Sequence, residues 1–342
     1  MGIRRLTSMS FWQNRRILVT GANGFIGGNL VHFFVREGAD VTGLERNIEK
    51  RSYLHFEGLG SKIKVVRGDL CDRSFLERVM SEGDYEFCFH LAAQVEIGVG
   101  LKSPYTTFET NIRGTYSLLE ALRTHAPALK AAVIASTDKA YGEYPASEMP
   151  YREHYPLKPQ YPYDTSKACA DMIAHCYASD VYQLPIVVTR FCNIYGPGQL
   201  NFSALVPDAV RAALGHGTFV PRGDGSHIRD FIYAGDVVAL YARIAESLSA
   251  SPEKFRGKSY NAGTNEPRTV REVVELIFNK CNDLKSLGVI LEQMRSARTT
   301  GEITVQYMDY DVVQRDFGWA PTTSFDEGID QTIDWFKRFL AH

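Results

Sequence analysis

The stretch Arg16-Ile17-Leu18-Val19-Thr20-Gly21-Ala22-Asn23-Gly24-Phe25-Ile26-Gly27 decides the fold of this chain. Arg16–Thr20 reads as a short β-strand, three glycines interrupt it, and Phe25–Glu37 continues with Phe25, Leu30, Phe33 and Phe34 spaced for one side of a helix. A strand that turns on glycine straight into a helix aims backbone N–H groups and the positive helix end at one point. That is the arrangement a pyrophosphate needs. Gly21 permits the turn, Gly24 lets phosphates approach, and Gly27 lets the helix lie tight against the sheet. Asn23, Phe25 and Ile26 belong to the same turn and are expected at the dinucleotide.

Working outward, the same alternation repeats. Strands are expected at Asp40–Leu44, Ile63–Arg67, Phe87–Leu91, Ala131–Ala135 and Pro185–Arg190, their continuous apolar character suiting burial on both faces. Long helices are expected at Pro104–His125 and at Tyr163–Val181, the latter carrying Ala168, Met172, Ile173 and Cys176 at helical spacing. Between Tyr141 and Tyr163 the density of Pro and Tyr argues for a loop able to fold over a ligand. After Asn193 short helices (Leu205–Leu214, Val270–Asn279) mix with irregular segments. The fold class that follows is α/β: a doubly wound, parallel Rossmann sheet with a smaller mixed α/β C-terminal lobe. Residues 12–190 would form the dinucleotide-binding domain and 191–342 mainly the substrate lobe, some later segments returning to the first domain.

Composition narrows the function. A net charge of −2 with no long basic run argues against a nucleic-acid partner. No apolar stretch approaches the roughly 20 residues of a membrane span, and the N-terminus lacks the apolar core of a signal peptide. The six cysteines form no Cys-x-x-Cys pair and most sit in apolar segments, so they read as small buried hydrophobes in a reducing compartment. The nine histidines show no metal-ligand spacing. A cytoplasmic protein without a metal is expected.

The strand ends carry further signals. Glu45, closing the second strand, is placed to accept hydrogen bonds from an adenosine ribose and to repel a 2′-phosphate, which favours NAD. Arg46 beside it would favour the phosphate of NADP. Small residues after the fourth strand, in Leu91-Ala92-Ala93, would let a cofactor lie close. Tyr163 and Lys167 are four apart at the start of a helix and share a face. There an ammonium and a positive nicotinamide would lower the pKa of the phenol, and Lys167 could also hold the nicotinamide ribose.

The Gly-x-x-Gly-x-x-Gly spacing together with Tyr163 and Lys167 resembles the short-chain dehydrogenase/reductase superfamily. That resemblance implies Asp69 and Leu70 at the adenine, Asn111 bracing the active site, and Thr137 completing a triad on the substrate hydroxyl. Arg190-Phe191-Cys192-Asn193-Ile194-Tyr195-Gly196-Pro197, Arg229-Asp230-Phe231-Ile232-Tyr233 and Phe317-Gly318-Trp319-Ala320-Pro321 narrow it. The chain looks like the extended, NAD-dependent nucleotide-sugar 4,6-dehydratases and 4-epimerases. Asn193 and Arg229 match positions that contact the sugar-nucleotide diphosphate, and Gln94 and Thr137 fall beside the substrate. Arg229 could alternatively pair with Asp230.

Within the family the pair after Thr137 distinguishes the reactions. Dehydratases carry an acid there to protonate the departing C6 hydroxyl, and usually a Glu as the base at C5. Here Asp138 supplies the acid and Lys139 takes the second place, a pair that resembles the CDP-glucose 4,6-dehydratases. Lys139 could remove the C5 proton if its pKa is lowered, or could be a structural partner of Asp138. The resemblance implies Tyr163 as base at C4, water loss across C5 and C6, a tightly held NAD and a homodimer paired through the two long helices. The rival readings are a 4-epimerase, which would leave Asp138 and Lys139 idle, and a redox sensor that has lost catalysis.

Overall fold

The computed structural model describes residues 10–297 and 303–342. Strands β1 (Arg16–Thr20), β2 (Asp40–Glu45), β3 (Lys64–Arg67), β4 (Phe87–His90), β5 (Ala131–Ala135) and β6 (Ile186–Phe191) form one sheet. A seventh strand, Ser259–Ala262, joins beyond β6, so the spatial order is Ser259–Ala262, β6, β5, β4, β1, β2, β3. Every pairing within the sheet is parallel. This is a Rossmann sheet. The order reverses between β1 and β4, where Thr20 stands beside Leu44 on one side and His90 on the other. Ligands of doubly wound sheets bind in the crevice outside that reversal.

Two apolar layers cover the sheet. One face packs Leu18, Leu44, Leu76, Leu118, Ile134 and Ile186. The other joins Val19, Phe34 and Phe89 to Tyr260, Ile277 and Phe336 in a single core. The chain therefore does not divide cleanly near residue 190. Ser259–Ala262 extends the first sheet, and helix Ala234–Ala250 packs against helix Phe25–Arg36 and β5. The last helix, Phe325–Leu340, begins with a reciprocal capping box between Ser324 and Glu327. Its Trp335 ring lies tilted against that of Tyr53 and its indole N–H donates to Glu57, fastening the C-terminal lobe to the first domain.

Two expectations are corrected. The helix expected over Pro104–His125 is interrupted: helix Pro104–Phe108 passes into a π-turn at Glu109–Arg113 before helix Gly114–His125 resumes. The widened turn carries Asn111 inward, buried. Helix Pro162–Ala178 does not bury Met172 and Cys176, which are exposed; its sheet side is made of Lys167, Ala170, Asp171, Ala174 and Ala178. The cysteines are accordingly mixed, with Cys88 and Cys192 buried and Cys176 at the surface. No helix among the described residues is long and apolar enough to cross a membrane.

Candidate active site

A cleft of about 1100 Å³ opens at the sheet reversal and runs toward the C-terminal lobe. At its floor is the glycine turn. Gly21 has φ +70°, and a Cβ there would come within 2.9 Å of the Ala92 backbone. A Cβ on Gly27 would lie 2.1 Å from the Gly21 carbonyl, so this glycine lets the helix sit against the turn itself, not the sheet. Helix Phe25–Arg36 starts at Gly24 with no side chain capping its first turn, so those amides are left for a ligand. Asn23, Gly24, Phe25 and Ile26 line the cleft with them, as do Arg46, Asp69, Leu70, Leu91, Ala92, Ala93 and Gln94.

Glu45 is the exception. Its side chain is fully buried and does not line the cleft; its carboxylate lies 3.6 Å from Arg67 Nε and 3.5 Å from His55 Nε2. The cause is register: Arg67 sits opposite Glu45 on the neighbouring strand and draws the carboxylate away. Arg46 is the charged side chain of that strand end which meets the cleft.

The catalytic candidates converge. Thr137, Asp138, Lys139, Tyr163 and Lys167 all line the same cleft. Thr137 caps the short turn Asp138–Tyr141, accepting from Lys139 N while its hydroxyl donates to Asp138 Oδ1 at 3.0 Å. Burial raises the Asp138 carboxyl pKa, with Lys139, Thr137 and Arg229 opposing. Burial and the Asp138 charge likewise raise the Tyr163 phenol, although Thr137 beside it favours the phenolate. Lys167 stands one turn further along the same helix. Its ammonium donates to the Ala135 carbonyl, and burial brings its own pKa down to about 8.

Asp164, which follows Tyr163, was not singled out by its sequence position. It is buried, lines the cleft, and titrates at about 6, raised by burial and by Asp138 and lowered by Lys139. An acid in a helix's first turn ordinarily reads as a dipole partner, which hid it. Asn111 braces the region: its side chain accepts from Gln94 N at 2.7 Å and donates to Gln94 O at 3.0 Å and Ser166 Oγ at 2.8 Å.

Toward the second lobe the cleft is lined by Asn193, Arg222, His227 and Arg229. Asn193 donates to the Asp230 carbonyl across the parallel pair Asn193–Tyr195 and Phe231–Tyr233. The Asp230 carboxylate is taken up by Thr264 and Asn265, and Arg229 bears on Asp138. Behind this wall Arg190 forms a bidentate pair with Asp171 at 2.8 and 2.9 Å and donates to Tyr141, which donates to Asn261. The network fixes the start of the Pro- and Tyr-rich loop. Within it Tyr144 stacks on Tyr155.

Comparison with known proteins agrees with this geometry. The pattern that defines the GDP-mannose 4,6 dehydratase family matches residues 18–332. A dTDP-glucose 4,6-dehydratase of Neisseria meningitidis serogroup B is 31% identical over 94% of this chain and 93% of its own. Among solved structures, the dTDP-glucose 4,6-dehydratase DesIV of Streptomyces venezuelae, with NAD and TYD bound, superposes with a TM-score of 0.81 at 27% identity. That match covers 94% of this chain and 97% of that one. A UDP-glucose 4-epimerase of Thermotoga maritima, with UDP-glucose, gives 0.79 at 27% identity over 95% and 99%.

Proposed function

Because the chain belongs to the GDP-mannose 4,6 dehydratase family, we propose that it is an NAD-dependent nucleoside-diphosphate-hexose 4,6-dehydratase, producing a 4-keto-6-deoxy sugar nucleotide. The observation that carries this reading is the place of Asp138. It is a buried carboxyl directly after Thr137, it faces the same cleft as Tyr163, and burial raises its pKa. A C6 hydroxyl leaves as water when an acid gives it a proton, and such an acid must hold that proton near neutral pH. Epimerisation at C4 releases no water and has no task for it.

The glycine cradle supports a dinucleotide, since a Cβ at Gly21 or Gly27 would collide with backbone there. Gly21, Asn23, Gly24, Phe25, Ile26 and Gly27 would hold its pyrophosphate, Asp69 and Leu70 its adenine, and Leu91, Ala92 and Ala93 the middle of its path. Tyr163 and Lys167 would hold the nicotinamide ribose. NAD bound there would supply oxidation at C4 and the matching reduction at C6, and its positive ring would favour the Tyr163 phenolate.

Tyr163 then takes the C4 hydroxyl proton, with Thr137 holding that hydroxyl. A ketone at C4 acidifies the C5 proton. Lys139, which lines the cleft beside Asp138, is the group placed to take that proton while Asp138 protonates the C6 oxygen. Asn193 and Arg229 hold the diphosphate and Gln94 the sugar. The enzyme works in the cytoplasm as a homodimer, paired through the helices that expose Tyr105, Tyr116 and Met172.

Incubation with NAD and CDP-, GDP-, dTDP- or UDP-hexoses tests the reading. At least one should yield the alkali-dependent absorbance of a keto sugar, and Tyr163→Phe should reduce its rate by roughly 10²–10⁴. No keto sugar from any of the four would contradict it.

A further inference from the structure

The ring of His90, at the end of β4, is buried and hydrogen-bonded at both nitrogens. Thr20 Oγ1 lies 2.8 Å from Nδ1 and Thr115 Oγ1 lies 2.9 Å from Nε2. The neighbours of the two hydroxyls decide which nitrogen carries the proton. Thr115 Oγ1 is 2.6 Å from the Asn111 carbonyl, which can only accept, so the one hydroxyl proton of Thr115 goes there. Thr115 must then accept from His90, and Nε2 must be protonated. Thr20 Oγ1 accepts from the amides of Leu91 and Ala92, each at 3.2 Å, the Leu91 amide being shared with the Thr20 carbonyl at 3.3 Å. Its own proton is left to point at Nδ1, which must be bare. An imidazolium would aim a third donor at Thr20.

Followed outward, the chain of bonds is continuous. At one end it holds the amides of Leu91 and Ala92, and Ala92 is the backbone on which the Gly21 turn rests. At the other end Asn111 donates to Ser166 Oγ, and that hydroxyl donates to the Tyr163 carbonyl at 2.7 Å. His90 is the link between β1 and β4, which carry the dinucleotide turn, and the π-turn that braces the helix of Tyr163. Lys167 is the charged group that bears on the ring; burial first, and this ammonium second, bring the His90 pKa down to about 3.

We propose that His90 is a positioning residue whose neutral, Nε2-protonated ring locks the dinucleotide turn to the backbone that presents Tyr163. It touches no reacting atom. The proposal rests on the reading of this cleft as a dinucleotide site, and its tests separate the two.

The tautomer is read by nitrogen NMR of the histidine side chains, with the His90 signals identified as those lost in His90→Phe. The expected result is a bare Nδ1 and a protonated Nε2, unchanged from about pH 5 to about pH 8, where an ordinary histidine titrates. A protonated Nδ1, or titration in that range, overturns the proposal. The coupling is read in Thr115→Val and Thr115→Ser. Loss of the two buried hydrogen bonds of this hydroxyl should weaken NAD binding in calorimetry at least about tenfold for Val. The rate constant kcat should fall with little change in KM for the sugar nucleotide, and Ser should restore both. Equal behaviour of Val and Ser overturns the proposal. Absence of NAD binding by the unmodified protein would overturn the dinucleotide reading instead, and the NMR result would still judge the chain of bonds.

Discussion

Thr137 Oγ1 donates a hydrogen bond to Asp138 Oδ1 at 3.0 Å, so the hydroxyl proposed to hold the substrate also holds the proposed acid. As proton donor that acid is active while protonated; activity should fall as pH rises through its pKa, which burial raises. Asp138→Asn keeps the shape and removes the proton. Water loss should slow by roughly 10²–10⁴ while oxidation at C4 continues, so reduced cofactor should accumulate, visible as absorbance. An unchanged rate of water loss would remove Asp138 from the mechanism.

Lys167 provides a test of the buried charge. Its pKa in the folded chain is about 8 against an ordinary 10.5. Above about pH 8 the folded protein releases this proton before the unfolded chain does. The unfolded state then binds more protons, and stability rises with pH across that window. Relative to Lys167→Met, the unmodified protein should gain on the order of 2 kcal/mol between about pH 8 and about pH 10.5. Parallel denaturation curves at the two ends would show that the ammonium is not desolvated.

Cofactor choice should follow charge at the adenosine end. Glu45 is buried beside Arg67 and His55, while Arg46 meets the cleft. NAD should bind more tightly than NADP in calorimetry, and Glu45→Gln should narrow the difference by leaving Arg67 without the carboxylate. A preference of the unmodified protein for NADP would mean that Arg46 governs the site.

Assembly can be checked by light scattering. Tyr105 is 74% exposed and Met172 66% exposed, on helices that pack side by side. A dimer is expected at micromolar concentration, and Tyr105→Glu with Met172→Glu should shift it toward monomer. A monomeric unmodified protein would contradict the pairing.

Most strands of the sheet were legible because parallel strands buried on both faces are written as unbroken apolar runs, as in Ala131–Ala135, whereas the edge strand Lys64–Arg67 is only partly covered. The seventh, Ser259–Ala262, was not, because its apolar character is broken by Asn261, a buried polar residue bonded to Tyr141. The π-turn at Asn111 was hidden for a related reason: one extra residue in a helical turn scarcely disturbs the apolar spacing on either side. At the site, the residue types of the cleft could be read from strand ends and from the spacing of Tyr163 and Lys167. The direction of the Glu45 side chain could not, since it depends on Arg67 standing opposite on another strand. The bonds of His90 were equally out of reach, because they join four segments distant in sequence.

The most direct test of dehydration is to run the reaction in D₂O with the best nucleotide-hexose substrate and examine the product by mass spectrometry and NMR. With Asp138 and Lys139 as acid and base, the product should have lost one water and carry deuterium at C5, because the C5 proton passes to a group that exchanges with solvent. A product of unchanged mass, with C4 inverted and its original hydrogen at C5, would contradict the account.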